Sequence, residues 1–386
     1  MTTPDPAQTP PLQGLRVVEF GQYIAAPAAA QMLGDLGAEV IKVESSTGDA
    51  ARHVGWAHDA YGPMFSAYNR GKRSVVLDLR SETGRQQAQA LACSADVLLQ
   101  NARPGVMERQ GLGAERLMAL TPRLVYGQVS GFGQQGPASV RPGLDIAAQA
   151  ESGMMSLNGD ADRAPTRVGF TVVDALAAQV LCNGVLAALV RRGITGRGDL
   201  VDVSLIDVAV SSLAYPWAEY HLSGRMPLRR GNGQPTAAPA ADVVRTADGM
   251  VVISAYTQDH FPKLCAAIGA PELAQDPRFR DNAGRVANRA ALMDVLGKSM
   301  AHLSSDQLCD LLASAGVVAG AIRTMADVKA GQAGVSADLF VEVGAAQRKT
   351  IGVPGLPMTL GGVERRPGRL PALGEHTQEV LAALKF

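Results

Sequence analysis

The chain has 386 residues, of which 47% are hydrophobic and 19% are charged. This composition excludes a disordered chain, and the length predicts two domains or one large domain with an insertion. Lysine plus arginine equals aspartate plus glutamate at 36 each, so the net charge is zero. No overall field therefore favours nucleic acid or an anionic membrane as a partner.

The cysteines and the N-terminal residues both indicate a cytoplasmic protein. The cysteines form no CxxC pair and have no histidine at ligand spacing, so we expect no metal site and a reducing compartment. The opening MTTPDPAQTPPLQG is polar and Pro-rich, which predicts a disordered lead-in and not a signal peptide. The four cysteines are Cys93, Cys182, Cys265 and Cys309.

Strand and helix patterns alternate through the first 132 residues. A short β-branched run (LRVVEF), a helix-forming run (PAAAQMLGDL) and a second strand pattern (AEVIKVE) follow one another within about 30 residues, as in a βαβ unit. The alternation continues through SVVLDL, SETGRQQAQALACSA, DVLLQN and LVYGQVSGF. This order predicts an α/β fold with a doubly wound, Rossmann-like parallel sheet.

Residues 168–190 form a long apolar stretch in which Asp174 is the only charged residue. The stretch is long enough to suggest a membrane span. Asp174, Gln179 and Asn183 interrupt it, however, and a central aspartate costs roughly 2.5–3.5 kcal/mol on insertion, so we predict a buried helix. Thr171-x-x-Asp174 also has the form of a capping box, which is a purely structural explanation of the carboxylate.

The second half of the chain changes character. DLVDVSLID predicts another strand leading into a helix, whereas the Gly- and Pro-rich residues 224–239 predict a long loop. A hairpin around Asp248-Gly249 and helices to about residue 315 then predict a smaller α+β domain. We place the large domain at residues 12–205, completed by 330–386. The small domain spans 225–325, and the linkers are residues 206–224 and 326–335.

Several common site signatures are absent from the sequence. The turn after the first strand reads FGQYIAAP, without GxGxxG or GxxxxGK[ST], which argues against NAD and P-loop nucleotide sites. There is also no GxSxG, HExxH or DxDxDG motif, so hydrolase triads, zincins and EF-hands have no support.

Eight stretches, in order along nearly the whole chain, resemble the class III CoA-transferases, the family that includes formyl-CoA transferase, carnitine CoA-transferase and the α-methylacyl-CoA racemases. The stretches are LQGLRVVEFGQYIAAPAAAQMLGDLGAEVIKVE, NRGKRSVVLDL, ADVLLQNARPGVMERQGLG, PRLVYGQVSGFGQQGP, RPGLDIAAQAESG, TGRGDLVDVSLID, RRGNGQPTAAP and RLPALGEHTQEVL.

The resemblance implies that Asp174 is the catalytic carboxylate. A carboxylate can attack an acyl-CoA thioester to give a mixed anhydride, and the CoA thiolate can return to give an aspartyl-CoA thioester. A second carboxylic acid then receives the CoA. The implied substrates are an acyl-CoA and a carboxylic acid, with succinate-like acids common in the family, and no tightly bound cofactor is expected. The implied assembly is an interlocked homodimer.

The resemblance also implies which residues bind CoA. Asn101 and Arg109 are expected to line the nucleotide, with Val106 near the adenine. Arginine suits phosphate because its fork donates two hydrogen bonds at once. The expected phosphate contacts are Lys72, Arg73 and Arg103. Formyl-CoA transferase carries an arginine where this chain has Ser45, and Lys42 or Arg52 could replace it.

Further positions bear on the type of reaction. Racemases of the family pair the aspartate with a histidine in an AGHD motif, and this chain reads PGLD, with Leu144 before Asp145. Leucine carries no proton, so transfer is favoured over racemisation. A racemase with an unrecognised second base and a non-catalytic CoA-binding protein remain as alternatives.

Two more segments are expected near the reacting thioester. Ile24 occupies the position of a glutamine in formyl-CoA transferase, and Gln22 lies close by but out of register. The loop containing Gly231, Gly233 and Gln234 resembles the glycine loop that closes over the acyl intermediate in that enzyme, because glycine permits close backbone approach. A flexible interdomain linker is the alternative for this loop.

Overall fold

The structure is a computed structural model of the chain and describes residues 9–55, 61–234, 237–344, 350–360 and 367–384. Its largest sheet contains β1 (Arg16–Glu19), β2 (Glu39–Glu44), β3 (Arg73–Val76), β4 (Val97–Gln100), β5 (Val125–Ser130) and β6 (Leu200–Ser204). The strands lie in the order β3-β2-β1-β4-β5-β6, and all five pairings are parallel. The parallel sheet predicted from the sequence is therefore confirmed.

The strand order reverses direction between β1 and β4. Val18 of β1 pairs with Ile41 of β2 on one side and with Leu98 of β4 on the other. In open parallel sheets, ligands bind outside the carboxyl ends of the strands at such a switch point. The loops that follow β1 and β4 are therefore the first place to look for a site.

Helices cover both faces of this sheet because neighbouring strand residues point to opposite sides. Val17 and Leu99 belong to one apolar cluster, whereas Val18 and Leu98 belong to another. The first cluster includes residues of α1 (Ala25–Asp35), α6 (Asp145–Glu151), α8 (Val172–Thr195) and α9 (Leu205–Ser211). The second includes residues of α3 (Glu82–Cys93), α4 (Val106–Arg109), α5 (Ala114–Leu120) and α16 (Thr377–Ala382).

The apolar stretch around Asp174 forms α8, which packs against α1, β5 and β6. By length and composition it is the one helix among the described residues that could cross a membrane. It carries a stripe of fully buried side chains, Val173, Ala177, Leu181 and Val185, which recurs every four residues and faces the core. The predicted helix is therefore present and one face of it is buried in the core, whereas residues on its other side, such as Val190, are exposed.

The chain divides into two compact units, of which the first comprises Met1–Met154, Val168–Trp217 and Ser336–Phe386. The second comprises Met155–Arg167 and Ala218–Val335. The domain limits that we expected from the sequence stay a prediction. The remaining helices of the first unit and of the junctions are α2 (Pro63–Tyr68), α7 (Met154–Leu157) and α10 (Ala214–Ser223).

The second unit is built on an antiparallel sheet of β7 (Ala241–Arg245), β8 (Met250–Ser254) and β9 (Val318–Ala321). The predicted hairpin is present, because β7 and β8 pair across it and the Thr246 amide donates to the Gly249 carbonyl. Its helices are α11 (His260–Ala267), α12 (Asn282–Ala287), α13 (Arg289–Met300), α14 (Ser305–Ser314) and α15 (Met325–Lys329).

A third sheet in the first unit was not predicted. It contains β10 (Phe340–Gly344), β11 (Ile351–Pro354) and β12 (Gly368–Arg369), in the order β11-β10-β12. Its buried residues Val341, Val343 and Val353 form a small core with Phe65. The C-terminal segment therefore adds its own layer to the first unit.

Candidate active site

Asp174 is the third residue of α8, and the start of that helix is capped from elsewhere in the chain. Thr171 precedes the helix but its side chain makes no cap hydrogen bond. Instead, Asp145 Oδ2 accepts hydrogen bonds from the backbone amides of Val173 at 2.7 Å and Asp174 at 3.2 Å. The capping-box interpretation of Thr171 and Asp174 is therefore wrong.

The Asp174 carboxylate is left without stabilising partners. None of the described residues donates a hydrogen bond to it, and no cation among them lowers its pKa. Burial, and after it the nearby charge of Asp145, raise the pKa of Asp174 to about 7. Burial and the negative charge of Asp174 also raise the pKa of Tyr68, at the end of α2. Such a poorly solvated carboxylate can act as a nucleophile or as a general base.

The loop that follows β1 is held at every residue. The Gly21 carbonyl accepts a hydrogen bond from Lys42 Nζ at 2.8 Å, and the Tyr23 amide donates to Asp49 Oδ1 at 3.1 Å. Between them, the backbone of Gln22 both donates to and accepts from the side-chain amide of Asn101, at 2.8 Å each. The loops after β1 and β4 are thus joined across the switch point of the sheet.

Tyr23 has an unusual backbone in this loop. Its φ is 63°, and among the described residues it is the only non-glycine residue with positive φ. Bulky residues rarely adopt this region, and strained residues of this kind concentrate at functional sites. No pattern in the sequence indicates Tyr23, because the strain arises only when its neighbours are held in place.

A network of buried charges supports the same loop. Lys42 Nζ lies 2.7 Å from Glu19 Oε1 and 2.9 Å from Asp49 Oδ2, and Lys72 Nζ lies 2.6 Å from Glu19 Oε2. Although burial disfavours its charge, the carboxylates around Lys42 raise its pKa. Glu19 was not singled out from the sequence, although a charge inside an apolar strand pattern was an available signal, and Lys42 was considered only as a phosphate ligand.

Two residues that we expected to bind phosphate are used elsewhere. Lys72 is buried, and its ammonium also donates to the Pro27 carbonyl at 2.8 Å and to Asn69 Oδ1 at 2.9 Å, which together with Glu19 occupies all three donors. Arg73 turns back to Glu39, the first residue of β2, which lies at the amino end of the sheet. Neither residue is therefore included in the CoA site proposed below.

The two residues considered as replacements for the arginine missing at Ser45 are also held in buried ion pairs. Lys42 belongs to the buried network described above. Arg52 is buried and forms a two-pronged pair with Glu44, with N–O distances of 2.7 and 2.8 Å. Removing either cation from its carboxylates would leave buried charge unpaired, so neither is free to bind a phosphate.

The segment after β4 keeps its basic residues accessible. Arg103 and Arg109 are exposed, and Val106, the first residue of α4, is half-buried. Gly105 has a left-handed φ of 80°, and a Cβ atom there would lie 2.8 Å from Arg109 Nη1. Glycine therefore makes room for the guanidinium beside the start of α4. Asn101 braces the loop after β1, as described above.

The residues expected near the thioester differ in exposure. Gln22 is exposed, whereas Ile24 is buried in the apolar cluster beneath α1 and so belongs to the core. Leu144 is 63% exposed and immediately precedes α6. Asp145 is buried and holds the start of α8. Around Asp174 the first unit therefore assembles Asp145 and Tyr68, of which Tyr68 was not predicted.

The glycine loop belongs to the second unit. The Gly231 amide donates to the Gly159 carbonyl at 3.1 Å, and Gln234 forms an isolated bridge with Ala238. A Cβ atom on Gly233 would lie 2.3 Å from the Arg289 guanidinium, so a larger residue there would displace this group, which is paired with Asp242. Pro235 lies outside the described residues. The loop borders a cavity of about 850 Å³ that is also lined by Asp160, Glu219, Arg225 and Arg229.

The parallel sheet and the unpartnered carboxylate at the start of a core helix are features that an α/β enzyme would have. Comparison with known proteins identifies the family. The profile of CoA-transferase family III matches residues 12–377, and the chain belongs to that family. It is therefore a family III CoA-transferase.

Relatives of known sequence and structure agree with this assignment. The chain is 37% identical to the probable fatty acyl-CoA transferase Rv3272 of Mycobacterium tuberculosis, over 99% of this chain and 100% of that protein. It is 35% identical to the succinyl-CoA–D-citramalate CoA-transferase of Chloroflexus aurantiacus, over 97% and 94%. A crystal structure of a CAIB/BAIF family protein from Brucella suis matches with a TM-score of 0.86 and 36% identity, over 98% and 100% of the two chains.

Proposed function

We propose that the enzyme transfers CoA from an acyl-CoA to a carboxylic acid through covalent intermediates on Asp174. The observation that carries the proposal is the state of its carboxylate, which is part-buried and receives no hydrogen bond from the described residues. Its pKa is raised to about 7, chiefly by burial. A carboxylate in this state is more nucleophilic than one in water, and burial limits hydrolysis of an anhydride.

The proposed steps exchange one carboxylate for another on the CoA sulfur. An Asp174 oxygen attacks the thioester carbonyl, forming the mixed anhydride and releasing CoA thiolate. The thiolate attacks the Asp174 carbonyl carbon, forming the aspartyl-CoA thioester and releasing the first acid. The second acid then attacks this thioester, again releasing thiolate. The thiolate finally attacks the new acyl carbonyl, which forms the product acyl-CoA and restores Asp174.

The CoA site that we propose lies after the carboxyl end of β4. Exposed Arg103 and Arg109 are available for the phosphates, and Val106 for the adenine, with Asn101 as their support. This placement follows the general rule for ligands of parallel sheets. We keep Gly231, Gly233 and Gln234 as a proposed lid, on the resemblance alone. Acyl-CoA is proposed as a substrate, with no tightly bound cofactor.

A succinyl-CoA-like donor is the proposed substrate. Its support comes from the relatives, which include a succinate–glutarate CoA-transferase of Agrobacterium fabrum and a succinyl-CoA:mesaconate CoA-transferase of Haloarcula hispanica. Racemisation has less support, because Leu144 carries no proton and Asp145 is engaged by the amides of α8. We further propose a cytoplasmic homodimer.

The test is Asp174→Ala, with Asp310→Ala on the exposed face of α14 as control. We expect loss of transfer between succinyl-CoA and a panel of carboxylic acids by at least about 10³-fold, with CoA affinity retained. In the wild type, hydroxylamine added with acyl-CoA should leave a hydroxamate on Asp174, detected by peptide mass spectrometry. Turnover by Asp174→Ala, or α-proton exchange in D2O without an acceptor, would refute the proposal.

A further inference from the structure

Two buried side chains of α6 hold the segment that leads into α8. Asp145 is 4% exposed and Gln149 is 0% exposed, and they are joined by a hydrogen bond of 2.6 Å from Gln149 Nε2 to Asp145 Oδ1. Gln149 Oε1 accepts from the Val168 amide at 2.9 Å. With the two amides that Asp145 Oδ2 binds, this pair fixes both ends of residues 168–174.

We propose that Asp145 is a positioning residue for the transfer reaction: by binding the first amides of α8 it keeps them from the Asp174 carboxylate, which stays free to attack the thioester. The proposal rests on the nucleophilic role of Asp174 given above. It assigns Asp145 no contact with substrate. It also explains why a carboxylate at a helix start, where donors are plentiful, has none.

The amides at a helix start are natural partners for an anion. Their dipoles and free N–H groups stabilise a carboxylate in the first turn, and a carboxylate that accepts such bonds is less basic. In α8 the amides of Val173 and Asp174 are instead directed at Asp145. The second carboxylate also adds a like charge, so both effects favour a more basic and more reactive Asp174.

The groups that face Asp174 from the surrounding elements are few. Asp145 of α6 and the phenol of Tyr68 of α2 are the titratable groups coupled to it electrostatically. The facing helix α1 has no charged residue before Asp35, its last residue. In α9 the charged residue is Asp207, which accepts a hydrogen bond from Ser204 Oγ. Asp145 is therefore the charge whose removal should change Asp174.

The experiment measures kcat/KM for acyl-CoA against pH from 5 to 9 in Asp145→Asn and Asp145→Ala. Wild type should lose activity below a midpoint of about 7. Asp145→Asn keeps an acceptor for the amides but loses the charge, so its midpoint should fall by about one pH unit. Asp145→Ala also releases the amides to Asp174, so its midpoint should fall further. KM should change by less than about twofold.

Three comparisons separate this role from a general loss of structure. Asp207→Asn, which alters an aspartate at the start of another helix, should keep the wild-type midpoint, and so should Asp145→Glu, which keeps the charge. Activity lost equally at all pH values, or an unchanged midpoint in folded Asp145→Asn, would overturn the proposal. If Asp145→Ala does not fold, Asp145→Asn and Asp145→Glu decide. Turnover by Asp174→Ala would instead refute the nucleophile itself.

Discussion

Asp174 illustrates how a residue at a helix terminus can be kept from its usual stabilisation. Aspartate near the start of a helix is ordinarily favourable, by 0.3–1 kcal/mol, because it faces the positive end of the helix dipole. Here burial and the neighbouring Asp145 outweigh that gain and raise the pKa to about 7. The stretch VGFTVVDALAAQV therefore carries a charge that costs stability, as expected of a residue kept for the reaction that we propose.

That cost gives a prediction for stability against pH. A carboxyl group whose pKa is raised from 3.8 to about 7 on folding contributes stability that is present below about pH 4 and lost as pH rises through 7. Asp174→Asn does not titrate. We expect the free energy of unfolding of the variant to rise relative to that of the wild type between pH 4 and pH 8. The rise should be on the order of 2 kcal/mol after discounting for partial solvation.

Denaturant unfolding at pH 4, 6 and 8 measures this difference directly. Asp310→Asn, on the exposed face of α14, is the matched control, and its stability difference from the wild type should not increase with pH in this way. A stability difference between Asp174→Asn and wild type that stays constant across this range would contradict the assigned environment of Asp174.

At the scale of elements, buried ion pairs hold the loop between β1 and α1. Lys42 on β2 joins Glu19 at the end of β1, Asp49 and the Gly21 carbonyl. Burying a matched set of charges contributes little to stability, but it fixes the geometry of the groups that it binds. The loop thereby keeps the strained Tyr23 beside the switch point, where a flexible loop would relax.

Lys42→Met tests whether this network is essential to the fold. Removing the ammonium leaves two buried carboxylates short of a partner, so we expect a loss of about 3–5 kcal/mol in the free energy of unfolding. The control is Lys298→Met, which removes a cation from the exposed pair with Asp294 on α13 and should cost about 0.5 kcal/mol or less. Equal losses in the two variants, measured by urea denaturation, would show that the buried network is dispensable.

The helices and strands were predicted from the sequence better than the contacts of individual side chains. Periodicity and βαβ order anticipated the parallel sheet and the core position of α8, because both depend on local apolar patterns. The β10–β12 sheet was missed because its strands have five, four and two residues and lie in a Gly- and Pro-rich segment. Lys72 and Arg73 were predicted to bind phosphate, yet Lys72 is buried against Glu19 and Arg73 pairs with Glu39. Sequence gives residue type, whereas the side chain's direction is set by packing.

The site was predicted to a similar extent. Asp174 stood out because an isolated charge in an apolar run is visible in the sequence, and the resemblance then made it the candidate nucleophile. The cap from Asp145 was not, since its two partners lie 28 and 29 residues away. Tyr68 was also missed, because its proximity to Asp174 depends on how α2 and α8 meet.

At the scale of the whole molecule, apolar surface on single helices accords with the predicted homodimer. None of the ten residues of α10 is buried, and Leu222 in it is 90% exposed. On α8, Val190 and Ile194 are 70% and 83% exposed. A ten-residue helix without a buried face is not expected to be stable in water on its own, so a partner chain that covers it is a simple explanation.

An interlocked dimer makes a stricter prediction than a simple one, because interlocked chains cannot separate without unfolding. Light scattering should give twice the chain mass of 40.2 kDa, and this mass should persist on dilution to nanomolar concentrations. Tagged and untagged dimers mixed under native conditions should not exchange subunits within a day, but should do so after unfolding and refolding.

Leu222→Asp should lower the melting temperature and the dimer yield, whereas Met325→Asp, equally exposed at the start of α15, should change neither. A monomeric mass would contradict the dimer, and rapid exchange between intact dimers would contradict only the interlocking.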